Sequence, residues 1–136
     1  LMKSENMTVS EREQVKLLAE CLFEMISQMG SEWDQAYCWF SSPNRDRGSS
    51  QCTFKHKESI EFIYFEGVNK YSSAMQKQMF ALVDGIEESN NSRPLATLIE
   101  IQRSGDYKMF FDYDNPIALD VSPVKVGTEN SYFRNV

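Results

Sequence analysis

Few residues of this chain stand together in ways that support chemistry. His56, within Phe54-Lys55-His56-Lys57, is the single histidine. A general base needs an orienting carboxylate and a zinc ligand needs companions at suitable spacing; the flanking lysines supply neither and oppose a cation. The plainer reading is a surface or half-buried strand residue. Asp112-Tyr113-Asp114 is more suggestive. Side chains two apart on a strand share a face, so the two carboxylates could hold a hard cation or share a proton. No glycine-rich phosphate loop and no G-x-S-x-G, P-loop, G-x-G-x-x-G or H-E-x-x-H motif accompanies them. Solvated carboxylates or a protein-binding pair are therefore expected ahead of a small metal-dependent hydrolase. Asp120 adds a third acid within nine residues, and no lysine or arginine falls between Asp112 and Asp120. Such a cluster raises the local negative potential and steers a basic partner.

The whole-chain balance points the same way. The 136 residues carry 20 acidic and 14 basic side chains, a formal charge of -6, which disfavours nucleic acid or an anionic membrane surface as the main partner. A basic protein partner remains open. Hydrophobic residues at 41% and charged residues at 25% are those of an ordinary globular domain, and the length suits a single one spanning 1–136. No apolar run reaches the roughly 18–20 residues of a membrane span. The start, Leu1 to Asn6, lacks the charged-then-apolar order of a signal peptide, so a cytoplasmic protein is expected. The odd number of cysteines, Cys21, Cys38 and Cys52, fits a reducing compartment and packing roles.

The elements that must position these residues follow from periodicity. Ser10-Glu11-Arg12-Glu13 has the form of a capping box. Behind it Val15, Leu18, Leu22, Met25, Ile26 and Met29 recur in steps of three and four up to a stop at Gly30, which predicts a helix. From Trp33 to Phe40 the period becomes two, with Ala36, Cys38 and Phe40 on one face and Tyr37 and Trp39 on the other. Ser41 to Ser50 is too polar for core and reads as a loop, with Arg45-Asp46-Arg47 serving solubility or, as the alternative, contact with a partner. Gln51–Lys57 and Ile60–Glu66 read as strands completing a meander, the second apolar on both faces like a central strand. Ser72 or Ser73 caps a second predicted helix with a stripe of Met75, Met79, Leu82, Val83 and Ile86.

The last two strands, Leu95–Arg103 and Tyr107–Tyr113, form a predicted hairpin around Ser104-Gly105-Asp106. That loop sets Ile101 opposite Met109, Ile99 opposite Phe111 and Thr97 opposite Tyr113, giving one apolar face. Its glycine is central, whereas the left-handed position normally comes last. An irregular tail follows from Asn115 to Val136. The expectation is an α+β domain, an antiparallel sheet of about five strands with two helices packed on it in the order α-βββ-α-ββ.

The outward face of this sheet bears on function. Leu98, Glu100, Phe110 and Asp112 alternate apolar and acidic character, and Tyr37 and Trp39 join them. Aromatic anchors among carboxylates suit recognition of a cationic protein, or of peptides by an adaptor domain. The alternative is that another layer, such as the tail, covers the face.

Leu95-Ala96-Thr97-Leu98-Ile99-Glu100-Ile101, then Gly105-Asp106-Tyr107-Lys108 and Phe111-Asp112-Tyr113-Asp114, resemble the corresponding segments of YezG-like immunity proteins. The resemblance extends upstream through the second helix and the aromatic strands to Glu32-Trp33 and the first helix. It implies a small bacterial cytoplasmic antitoxin that neutralises a polymorphic or contact-dependent inhibition toxin, often a nuclease. A cognate toxin C-terminal domain is then the expected partner. No catalysis, cofactor or metal is expected, and Asp112, Asp114, Asp120, Phe110, Glu100, Trp39 and Tyr37 are the expected toxin-binding residues.

Overall fold

A computed structural model of the chain describes residues 7–134; the sequence features at Leu1–Asn6 lie outside the described residues. Two helices and five strands follow in the order α1 (Val9–Met29), β1 (Gln35–Asn44), β2 (Arg47–His56), β3 (Ser59–Phe62), α2 (Val68–Asn90), β4 (Ala96–Gln102) and β5 (Tyr107–Asp112). The strands form one antiparallel sheet in the order β3-β2-β1-β4-β5. This is the expected α+β arrangement.

Both helices pack on one face. The stripe of α1 (Val15, Leu18, Leu22, Met25, Ile26) and that of α2 (Met75, Met79, Leu82, Val83, Ile86) are buried with Ala36, Cys38, Phe40, Ile99, Ile101 and Phe111. Gly30 ends α1 in the left-handed region at φ 74°. The capping box sits two residues earlier than expected. Thr8 accepts the Glu11 N–H at 3.0 Å and Glu11 returns the bond to the Thr8 N–H, an alignment that buries Met7. The second helix also begins earlier, at Val68 rather than after Ser72 or Ser73. Gly67 at φ 90° stands at its N-cap without a side-chain bond. Packing of Phe65, Val68 and Tyr71 on the core fixes that start in place of a capping hydroxyl.

Two strand expectations need correction. Residues 41–50 are not a loop, because β1 and β2 continue as a hairpin that turns at Arg45-Asp46, with an irregularity between Ser41 and Asn44. Polar strand ends persist here because Ser42 is fully buried and its hydroxyl donates toward the carbonyls of Asn44 and Arg47. Residues 60–66 are not a central strand. β3 is short and lies at the sheet edge, leaving Phe62 and Tyr64 exposed, while β1 holds the centre with both faces covered.

The β4–β5 hairpin keeps the expected faces with a different register. Ile99 lies opposite Met109, Ile101 opposite Tyr107 and Thr97 opposite Phe111. The loop is Arg103-Ser104-Gly105: the Gln102 N–H donates to Asp106 O at 2.7 Å and the Gly105 N–H to Gln102 O at 2.9 Å. This moves Gly105, at φ 98°, to the last loop position, where a left-handed residue closes a type I turn with a bulge. A shift of two preserves parity, so Ile99, Ile101 and Phe111 still face the helices.

Candidate protein-binding surface

The tail forms a third layer, on the sheet face away from the helices. Tyr37, Trp39, Leu98 and Val121 make a second buried cluster, against which Ile60, Phe110, Leu119, Tyr132 and Phe133 pack. Side chains from three strands of the sheet's interior are bonded to the tail. Trp39 Nε1 donates to Ala118 O at 2.7 Å, Thr53 Oγ1 donates to Val121 O at 2.8 Å, and Glu100 Oε2 accepts the Tyr132 hydroxyl at 3.0 Å. Tyr132 sits between Phe110 and Phe133, with ring centroids at 5.2 and 4.8 Å.

A polar chain runs beneath this layer. The Tyr37 hydroxyl donates to Gln35 Oε1, Gln35 Nε2 to Gln102 Oε1, and Gln102 Nε2 to Glu100 Oε1 at 2.6 Å. Glu100 is therefore a buried carboxylate that receives hydrogen bonds on both oxygens. Burial first, and the Glu100 charge second, push the Tyr132 phenol up to about 12 and raise that of Tyr37. Both stay protonated as the donors this chain requires.

The expected toxin-binding residues thus separate into two groups. Tyr37, Trp39 and Glu100, at 0%, 7% and 6% exposure, are the floor beneath the tail and present no surface to a partner as placed; Phe110 is half-buried at its margin. Asp120 also leaves the acidic cluster. It is 4% exposed, its Oδ1 accepts the Ser122 N–H, and its carbonyl accepts the Tyr132 N–H. Its role here is to hold the tail's two segments together, through a bridge to Ser131. The aromatic face was legible as patterning, but an irregular covering segment has no period to reveal where it lies.

Asp112 and Asp114 do remain at the surface, in a different relation from the one expected. β5 ends at Asp112, so Asp114 lies beyond the strand and the two-residue period does not pair them. Instead Asp112 Oδ1 accepts the N–H groups of Asp114 and Asn115, both at 2.9 Å. Asp112 lines a polar cleft of about 420 Å³ where the strand end meets the tail, with Asn115, Glu129, Asn130, Tyr132 and Arg134. The fold thereby brings to Asp112 one acid and one base that sequence distance concealed.

Two further groups of polar residues were not anticipated. Arg93, at 8% exposure, donates to Asp84 Oδ1 at 2.7 Å, Glu87 Oε1 at 3.0 Å, Ser42 O, the Ser42 hydroxyl and Asn44 O. It fastens the end of the β1–β2 hairpin to the end of α2. Arg45 adds contacts with Glu87 and Glu88, so this loop tip does more than confer solubility. Glu11, besides capping α1, accepts from the Ser89 hydroxyl of α2 at 2.9 Å.

The remaining candidates are quieter. His56 Nε2 lies 3.8 Å from Glu32 Oε2, too far for an orienting hydrogen bond. Cys38 and Cys52 face each other across β1 and β2. The hydrogen bond with Cys52 first, then burial, raise the Cys38 thiol well above its ordinary value, and burial raises Cys21. Protonated thiols of this kind are poor nucleophiles. Among the described residues no helix is long and apolar enough to cross a membrane. No family model matches this chain, and no curated protein matches it in sequence.

Proposed function

We propose that the chain is a non-catalytic immunity protein that binds a basic toxin domain, a nuclease in the leading case, and blocks it by protein–protein contact in the cytoplasm. The observation that carries this reading is the Asp112 cleft. It offers a recess large enough for a lysine or arginine side chain, two carboxylates at its walls, and exposed Asp114 beside it. Arg134 shares the cleft and reduces its net charge, yet the chain as a whole is at -6, so a basic partner is attracted from a distance. The resemblance of the β4–β5 region to YezG-like immunity proteins supports the same reading, since Asp112 and Asp114 fall within the resembling segment.

A metal-dependent hydrolase at Asp112 and Asp114 is less well supported, because Asp112 Oδ1 is already engaged by two backbone amides. A peptide adaptor using Tyr37 and Trp39 would first have to displace the tail. The test is to mix the chain with the toxin domain encoded beside its gene. A stoichiometric complex with loss of toxin activity is expected; no complex at micromolar concentrations would refute the reading.

A further inference from the structure

Among the described residues β5 is an outer strand of the sheet and pairs with β4 alone. The Gln102 N–H bond to Asp106 O fixes the hydrogen-bonding phase of that pair. Bonded positions recur every two residues in antiparallel pairing, so Lys108, Phe110 and Asp112 turn their backbone groups toward β4. The other side of β4 agrees: the Ser42 N–H donates to Leu95 O, which assigns Thr97, Ile99 and Ile101 to β1 and leaves Leu98 and Glu100 for β5. Tyr107, Met109 and Phe111 therefore aim their N–H and C=O groups away from the sheet. These groups have no backbone partner among the described residues.

Two clefts flank this edge, one on each face of the sheet. The Asp112 cleft lies on the tail side at the end of β5. At its start, a groove of about 410 Å³ opens between α1 and Tyr107, walled by Phe23 and Tyr107, with Lys16, Glu20 and Glu24 along α1. We infer that the β5 edge is a docking site for an extended segment of a partner protein carrying two basic side chains five residues apart, one for each cleft. A strand laid along β5 would add main-chain hydrogen bonds at Tyr107, Met109 and Phe111. Its residues beside Tyr107 and Asp112 would be five apart, about 17 Å, and so would point to opposite faces, as the two clefts require. In the first groove the stem of an arginine or lysine covers the rings of Phe23 and Tyr107 while its head reaches Glu20 and Glu24.

Charge selects the occupant. Glu20, Glu24, Asp106, Asp112, Asp114 and Glu129 border the edge and its clefts, against Lys16, Arg103, Lys108 and Arg134. A second copy of the chain would bring the same acids together and be repelled, whereas a basic strand would be attracted. The inference goes beyond the immunity reading, because it concerns this edge whatever protein carries the segment.

The probe is a short peptide of alternating threonine and valine with two arginines five residues apart, added to the full chain and followed by amide hydrogen exchange. Slowed exchange is expected at Tyr107, Met109 and Phe111 but not at Lys108 and Phe110, which β4 already holds. Arginines four apart share one face and should bind roughly threefold more weakly, as should the wild-type peptide pairing with Glu20→Gln/Glu24→Gln. Met109→Pro removes the central outward donor while sparing every bond to β4, and should abolish binding. Should that variant fail to fold, the exchange pattern of the wild-type chain decides. Absence of protection at millimolar peptide, equal binding of both spacings, or the same protection appearing on concentrating the chain alone would overturn the inference. Failure here with a toxin complex still formed would leave the immunity reading standing.

Discussion

The Tyr132 hydroxyl donates to the Glu100 carboxylate at 3.0 Å, linking a residue of the tail to the buried middle of β4. Without that donor the Glu100 carboxylate keeps, among the described residues, the Gln102 amide alone as a hydrogen-bond partner. Tyr132→Phe should therefore destabilise the fold by about 1–3 kcal/mol, the usual cost of leaving a buried acceptor undersatisfied. Chemical denaturation measures the loss, and raised amide exchange in residues 118–134 would locate it in the tail.

Burial first, and the Glu100 charge second, also predict an alkaline limit. The Tyr132 phenol, ordinarily at 10.0, is pushed up to about 12 in the folded chain, and those of Tyr37 and Tyr113 are also raised. Above pH 10 the unfolded chain loses these protons while the folded chain keeps them. Stability is thus retained below pH 10 and falls as the pH rises through 12. Denaturation midpoints measured from pH 9 upward should decline, and Tyr132→Phe should make the decline shallower.

Ile101 is buried among α1, β1 and β5 residues at 1% exposure. Ile101→Ala should cost roughly 2–5 kcal/mol. A loss under about 1 kcal/mol in chemical denaturation would mean that the β4–β5 faces are wrongly assigned.

Arg93 closes the other end of the sheet. Removing it leaves Ser42 O, Asn44 O and two partly buried carboxylates without their shared cation. Arg93→Ala should destabilise by about 3 kcal/mol, and Arg93→Lys should recover only part, since an ammonium cannot reproduce the planar fork. Thermal or chemical unfolding of the two variants provides the check.

What the sequence revealed and what it hid have a common physical cause. Regular elements announce themselves through period: the α1 and α2 stripes, the Gly30 stop and the alternation of Tyr37 and Trp39 against Ala36 and Cys38 all follow from which face is buried. Even the hairpin, misregistered by two residues, kept its faces because parity survives such a shift. The hidden features depend on partners remote in sequence. Ser42 and Arg93 are 51 residues apart, so a polar strand and a breaker segment each looked like surface. The tail carries no period, so its cover over Trp39, which the structure bears out, stood in the sequence only as an alternative, and the arrival of Glu129 and Arg134 beside Asp112 could not be read.

The proposal that acids at the end of β5 draw in a basic toxin domain stands or falls on the association kinetics of Asp112→Asn/Asp114→Asn. Asparagine at 112 keeps the Oδ1 that accepts two backbone amides, so the substitution removes charge with little change of shape. Stopped-flow mixing with the cognate toxin domain at low and high salt should show slower association for the variant, with the difference shrinking as salt screens the charge. If one carboxylate is buried against a toxin arginine or lysine, dissociation should also quicken, at a cost of roughly 2–5 kcal/mol. Wild-type rates in both directions, with the fold intact, would contradict the claim and return both carboxylates to the solvent.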